Sequence, residues 1–232
     1  MRVNAVIVAA GEGRRMGGDI AKPFLLVGNR PVILHTLGRF AETQTVRRVI
    51  VVAAEKELSR YQDLIGSDSQ LGCLQCIFQP GGLRRQDSVA RGLARLDPDC
   101  EVVVVHDGVR PFVSPQLIDR CVEAAFREGA VVVGVPVRST IKIVSPDRHI
   151  RQTPPRGSLW EIQTPQVFRI EIIREAYARA AREGTEATDD AMLVELLGKS
   201  VALLEGERTN IKITVPEDLL FAEALLREGR VP

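Results

Sequence analysis

The sequence predicts an α/β fold: an open, mostly parallel sheet with helices on both faces, built as a single domain over residues 1–232. Apolar, β-branched runs recur at residues 3–10, 49–54, 74–78, 102–105 and 131–137. They lack polar alternation, as expected of strands buried on both faces. Helix-compatible segments lie between them, near 31–41, 55–65, 85–96 and 115–128, and β–α alternation favours a parallel sheet. The balance of 45% hydrophobic and 26% charged residues is globular, which rules out low-complexity disorder as the main state.

The first run leads directly into a glycine-rich loop, residues 9–18. The fourth helix has the clearest start, because Ser114 can cap it and Pro115 suits its first turn. Residues 138–163 break the rhythm. Residues 140–144 alternate, 145–148 read as a turn, and 149–152 read as a returning strand. A projecting hairpin cannot bury itself, so this arm is expected to pack on a second copy, giving a homodimer. The βα order then resumes with strand 162–168, helices 170–182 and 189–197, strands 201–204 and 211–214, and a last helix at 216–227. Thr214-Val215-Pro216-Glu217 reads as a capping box for that helix.

Charge and cysteine content narrow the function classes. The 31 basic and 30 acidic residues leave a net charge of +1, which argues against a nucleic-acid partner gripped by bulk positive charge. The apolar stretch 5–10 is too short for a membrane span or a signal-peptide core, so a cytoplasmic protein with no membrane partner is expected. Cys73, Cys76, Cys100 and Cys121 read as small apolar core residues rather than a metal half-site, since no second pair follows. Only five cations are lysine, at 22, 56, 142, 199 and 212, among 31. In a chain that defaults to arginine, a lysine inside a polar motif marks a need for a compact point charge.

The glycine-rich loop reads Ala9-Ala10-Gly11-Glu12-Gly13-Arg14-Arg15-Met16-Gly17-Gly18. Small residues let a backbone approach a ligand, and successive N–H groups can cradle phosphate. Met16 occupies the last position of the six-residue dinucleotide fingerprint. No suitable acid stands about 20 residues on to hold a ribose. A nicotinamide-dependent oxidoreductase is therefore disfavoured, and the two loop arginines suit the exposed polyphosphate of a nucleoside triphosphate. A plain glycine turn with solvated arginines is the bland alternative. Lys22 follows within reach of such phosphates, without a P-loop match.

The Ala-Ala-Gly-x-Gly-x-Arg-Met-Gly pattern with a following lysine resembles the nucleotidyltransferases that activate sugars. Further motifs narrow the resemblance: Gly81-Gly82 with Arg85-Gln86-Asp87-Ser88-Val89, Val105-His106-Asp107-Gly108-Val109-Arg110-Pro111-Phe112, Gln163-Thr164-Pro165-Gln166-Val167-Phe168, Thr188-Asp189-Asp190-Ala191, and Asn210-Ile211-Lys212-Ile213-Thr214 with Pro216-Glu217-Asp218-Leu219. Together, over about residues 3–226, they are similar to the 2-C-methyl-D-erythritol 4-phosphate cytidylyltransferases of non-mevalonate isoprenoid synthesis. The resemblance implies a Rossmann-like sheet and a homodimer in which the arm of one subunit completes the other's site. It also implies transfer of the cytidylyl group of CTP to methylerythritol phosphate, with release of pyrophosphate and with Mg²⁺ or another divalent cation held mainly by the CTP phosphates.

The resemblance also assigns residues. Arg15, Lys22, Arg156 and Lys212 match the catalytic cations. Ala9, Ala10, Gly11, Gly13, Gly82 and Ser88 match nucleotide-binding positions. Asp107 is placed near the ribose, the acceptor or the metal. Arg110, Thr140, Arg156 and Lys212 match acceptor-binding positions, with Thr140 and Arg156 on the arm. His106 is expected to be structural, its ring on the opposite sheet face from Asp107. The chain departs from the family pattern where Pro23 follows Lys22 instead of preceding it, where Leu83 replaces an acid, and where Ser139 replaces an aspartate. A ribitol-5-phosphate cytidylyltransferase is the alternative within the same chemistry, and a noncatalytic nucleotide-binding module the alternative outside it.

Overall fold

The computed structural model describes residues 2–11 and 20–231. Along the chain the strands are β1 (Val3–Val8), β2 (Leu26–Val27), β3 (Arg30–Pro31), β4 (Val46–Ala53), β5 (Gln75–Pro80), β6 (Val102–Asp107), β7 (Ala130–Pro136), β8 (Ile143–Val144), β9 (Ile150–Gln152), β10 (Trp160–Arg169) and β11 (Ala202–Glu205). The helices are α1 (Val32–Ala41), α2 (Leu58–Gly66), α3 (Arg85–Leu93), α4 (Pro115–Glu128), α5 (Ile170–Glu183), α6 (Asp190–Leu196) and α7 (Pro216–Arg227). Seven strands make one sheet in the order β11-β7-β10-β6-β1-β4-β5. Only the two pairings made by β10 are antiparallel.

The continuous apolar runs have the burial expected of them. In β6, Val102 and Val104 join the core beneath α1 and α4, with Leu37, Ile118 and Cys121. Val103 and Val105 point the other way, into a second core with Val89, Leu93 and Ile173. All four valines are fully buried, and each such side chain contributes roughly 1.5–3 kcal/mol. The reversal at β10 follows from its connection. Residues 137–159 leave and return beside β7 without a crossover helix, and a direct return makes antiparallel neighbours.

That connection carries the hairpin β8–β9, a two-stranded sheet separate from the main one. Ser145 ties its turn, donating its hydroxyl to the His149 carbonyl and accepting from the His149 N–H. Ile141, Ile143, Val144 and Ile150 are exposed on it. The last residues of the 138–163 segment, from Trp160 onward, already pair with β7.

Three expectations need correction. Residues 211–214 are extended but form no strand. The segment is fixed by the Ile213 N–H donating to the Val109 carbonyl and by the side chain of Asn210, not by a ladder. The capping box of α7 lies one residue later. Val215 holds the cap position and cannot accept a bond, while the Asp218 carboxylate accepts from the N–H groups of Thr214 and Val215. Cys100 and Cys121 are buried and Cys76 is half-buried, but Cys73 is exposed. It follows α2 on a turn whose apolar anchors are Leu71 and Leu74.

Candidate active site

Open α/β sheets bind ligands beyond the carboxyl ends of their strands, where the strand order reverses. Here that point lies between β1 and β6, whose last residues, Val8 and Asp107, are register partners. A cavity of about 320 Å³ opens above them. Its first wall is backbone. Beyond the strand ends the Ala9 N–H donates to the Val52 carbonyl and the Gly81 N–H to the Ala53 carbonyl, each at 2.7 Å, so the 9–11 and 81–82 loops run side by side. A Cβ on Gly81 would lie 2.4 Å from the Ala10 Cβ, and one on Gly82 would lie 2.3 Å from the Asp87 Cβ. The packing therefore requires glycine at both. Among the described residues, a Cβ on Gly11 would meet nothing within 4 Å.

Ser88 sits in the first turns of α3 and lines the same cavity. Its hydroxyl accepts from the Gly82 N–H at 3.0 Å and donates to the Arg84 carbonyl at 3.1 Å. It thus fixes the shape of the 81–84 loop. Leu83, at the tip of that loop, lines the cavity with its side chain fully exposed.

The opposite wall comes from two distant segments. Lys22 opens a single 3₁₀ turn, Lys22–Phe24, with Pro23 at its start. Its ammonium donates to the Thr214 carbonyl at 2.6 Å. The residue is 8% exposed, leaving little room for a larger head group. Lys212 enters from the extended 210–214 segment, and its ammonium lies 2.8 Å from Asp107 Oδ2.

Asp107 forms the floor. Its Oδ1 accepts from Arg85 Nε at 3.1 Å, and its Oδ2 faces Lys212 and, at 3.7 Å, Arg110 Nε. Burial alone would raise this carboxyl, but Arg85, Lys212 and Arg110 outweigh it and hold the group well below the usual carboxylate range. His106 points to the other face, its ring 5.3 Å from that of Phe40, as expected of a structural residue. Its Nε2–H donates to the Arg110 carbonyl, and its Nδ1 accepts from the Thr164 hydroxyl, which in turn accepts from the Asp107 N–H. Burial pushes this imidazole down to about 4, so the ring is neutral and its tautomer is set by these two bonds.

The structure thus brings Ala9, Ala10, Gly11, Lys22, Gly82, Ser88, Asp107 and Lys212 around one cavity. Arg110 lies behind Asp107 rather than on the cavity wall, with Nη1 donating to the Asn210 carbonyl at 2.8 Å. Thr140 and Arg156 are exposed on the hairpin segment and do not line the cavity, and Arg156 Nη1 donates to the Arg138 carbonyl of its own segment at 3.0 Å. Gly13 and Arg15 lie outside the described residues. Arg85, Asp190 and Tyr177 were not singled out from the sequence as site residues. Arg85 and Asp190 stand in quoted motifs and Tyr177 in none, and their meeting is a tertiary event.

A divalent cation finds limited protein chemistry here. Among the described residues no cluster of three or more acidic, histidine or cysteine side chains could hold one. The carboxylate at the cavity, Asp107, has both oxygens turned to cations. Among the described residues, that donor set does not fit a metal cage made of protein ligands.

Similarity to known proteins agrees with this geometry. The crystal structure of 4-diphosphocytidyl-2C-methyl-D-erythritol synthase from Anaerococcus prevotii superposes with a TM-score of 0.87 at 32% identity, covering 97% of this chain and 96% of that one. The 2-C-methyl-D-erythritol 4-phosphate cytidylyltransferase structure from Thermus thermophilus gives 0.79 at 41% identity, covering 98% and 100%. A relative of the same name from Pelotomaculum thermopropionicum is 43% identical over 232 residues, 99% of this chain and 97% of its own. The family model described as 2-C-methyl-D-erythritol 4-phosphate cytidylyltransferase matches residues 3–228, spanning every strand that builds the cavity and both of its lysines. With its fold, its cavity and nearly its whole length accounted for in this way, the chain belongs to the 2-C-methyl-D-erythritol 4-phosphate cytidylyltransferase family.

Proposed function

We infer that this chain transfers the cytidylyl group of CTP to 2-C-methyl-D-erythritol 4-phosphate, releasing pyrophosphate. The observation that carries this reading is the family match over residues 3–228, laid on a cavity whose walls include glycine-loop backbone, two lysines and two arginines. In the reaction a phosphate oxygen of the acceptor attacks the α-phosphorus of CTP. The new O–P bond forms as the bond to the β-phosphate bridging oxygen breaks, and pyrophosphate leaves with that electron pair. Two anions must be held in line and their growing charge offset.

The backbone of Ala9, Ala10, Gly11 and Gly82 faces the base, in a loop shape set by Ser88. Arg15 and Lys22 serve the triphosphate. Asp107 anchors the ribose or the acceptor hydroxyls and holds Lys212 at the reaction centre. Lys212 receives the acceptor phosphate, with Arg110 behind it. Gly13 belongs to the phosphate-binding loop. Thr140 and Arg156 complete the acceptor pocket from the partner subunit of a homodimer, a reading supported by their exposure away from the lining of this chain's own cavity and by the exposed isoleucines around them. Mg²⁺, or another divalent cation, arrives on the CTP phosphates and would neutralise them when bound. The relatives' names favour methylerythritol phosphate over ribitol phosphate as acceptor. A cytoplasmic setting is supported by four free thiols, which persist in reducing compartments.

Pyrophosphate release from each of the four nucleoside triphosphates, crossed with methylerythritol phosphate and ribitol phosphate, tests the assignment. CTP with methylerythritol phosphate should dominate, because a site built for one hydrogen-bonding edge leaves buried groups unpaired against another. Equal turnover of UTP, or equal use of ribitol phosphate, overturns the corresponding half.

A further inference from the structure

From Arg85, which lines the cavity with its side chain 27% exposed, a charged chain continues into the protein. Arg85 stands between two carboxylates, its Nε donating to Asp107 Oδ1 at 3.1 Å and its Nη1 to Asp190 Oδ2 at 2.8 Å. Asp190, in the first turn of α6, is 1% exposed. Its other oxygen accepts from the Tyr177 hydroxyl of α5 at 2.5 Å. The backbone there is pinned as well, since Gln166 Oε1 of β10 accepts from the N–H groups of Asp190 and Ala191. A buried aspartate against a half-buried arginine is costly to assemble and costly to break, because removing the arginine strands the aspartate's charge. As a stabilising device, a pair of apolar side chains would do as well.

We propose that Arg85, braced by Asp190 and Tyr177, is a positioning residue: it fixes the rotamer of Asp107 and, through Asp107 Oδ2, the place of the Lys212 ammonium in the cavity. The planar guanidinium is what allows this. One rigid fork presents donors in two directions, so the angle between the carboxylates is set by covalent geometry. Without it, Asp107 would be free to turn fully toward Lys212 and Arg110. The lysine would then be drawn down onto the aspartate, away from an incoming phosphate. Asp190 and Tyr177 matter only because they keep Arg85 from collapsing onto Asp107 alone. The proposal rests on the assigned reaction for its kinetic consequence, but not for its geometric one.

The test is a double-mutant cycle with a structural readout beside it. Arg85→Lys keeps the charge and removes the fork, and should lower kcat/KM for CTP roughly tenfold or more, with Asp190→Asn giving a smaller loss and Tyr177→Phe the smallest. In an Asp107→Asn background the same three substitutions should cost almost nothing further, because the residue they aim is already disabled. Loss of packing alone would instead add in both backgrounds. Crystal structures of Arg85→Lys and Asp190→Asn should show the Asp107 carboxylate rotated and the Lys212 ammonium displaced, whether or not the protein turns over CTP. Absence of turnover by the wild-type chain would overturn the assigned reaction and leave this structural arm standing. Unmoved Asp107 and Lys212 in both variants, or losses that add fully in the Asp107→Asn background, would overturn the positioning role.

Discussion

The cavity floor and the β8–β9 hairpin are both rich in groups suited to phosphates, yet they are held in opposite ways. Asp107, Arg85 and Lys212 are fixed by ion pairs within one chain, gathered on a buried carboxylate. Thr140 and Arg156 stand on a segment whose isoleucines face solvent and whose ties are made within itself. A side chain held by a core is positioned at the cost of folding. One held by an exposed hairpin is positioned only when something covers that hairpin. On the reading proposed here, the nucleotide side of the site and the Lys212 end of the acceptor pocket are therefore placed by the monomer, and only what Thr140 and Arg156 add is placed by the assembly.

The sharpest way to break this contrast is complementation. Arg15→Ala and Arg156→Ala should each leave a nearly inactive homodimer. Mixed under subunit exchange, about half the dimers become heterodimers with one intact site each, so on the order of a quarter of wild-type activity should return. No recovery despite demonstrated exchange would mean that both residues serve one site from one chain.

On the monomer side, Lys22→Arg and Lys212→Arg should each lose roughly 10²-fold in kcat/KM for pyrophosphate release, about 2.7 kcal/mol. Lys22, 8% exposed, leaves little room for a fork, and Lys212 meets Asp107 as a point charge at 2.8 Å. Near-normal rates for both would show that the scarcity of lysine carries no chemistry. On the hairpin side, Ile150→Asp, at a position 64% exposed, should shift sedimentation toward monomer. Acceptor turnover should fall with it while CTP affinity holds. Loss of CTP affinity in step with the dimer would erase the distinction between the two halves.

The remaining effect is on stability rather than on rate, and appears only as the pH falls. His106 is held at about 4 in the folded protein, below roughly 6.5 for the unfolded chain. The unfolded state binds the extra proton between those values. Stability is therefore complete above pH 6.5 and falls by about 1.4 kcal/mol for each pH unit down to 4. Asp107, depressed in its turn, adds a loss only below the ordinary carboxylate range. Urea midpoints across this window should show the slope, and His106→Gln should flatten it between pH 6.5 and 4.

Much of this was legible in the sequence. The β-branched runs declare a doubly covered sheet, and Asp107 at the end of one declares a ligand floor. The two lysines stand out because the chain otherwise uses arginine. The partners of Arg85 were not legible. Asp190 lies 105 residues away, and nothing in either local pattern distinguishes a buried fork from a solvated surface charge. The shift of the α7 cap from Glu217 to Asp218 escaped for a smaller reason. Both acids fit the first turn, and only the backbone decides which one reaches the Thr214 N–H.

The 2.6 Å bond from Lys22 to the Thr214 carbonyl joins residues 192 positions apart. All seven strands of the sheet are complete by Glu205. The sheet, and the crevice above β1 and β6, are therefore complete without the segment that seats Lys22 and delivers Lys212. The far wall of the crevice is laid on a finished scaffold by the stretch that leads into α7.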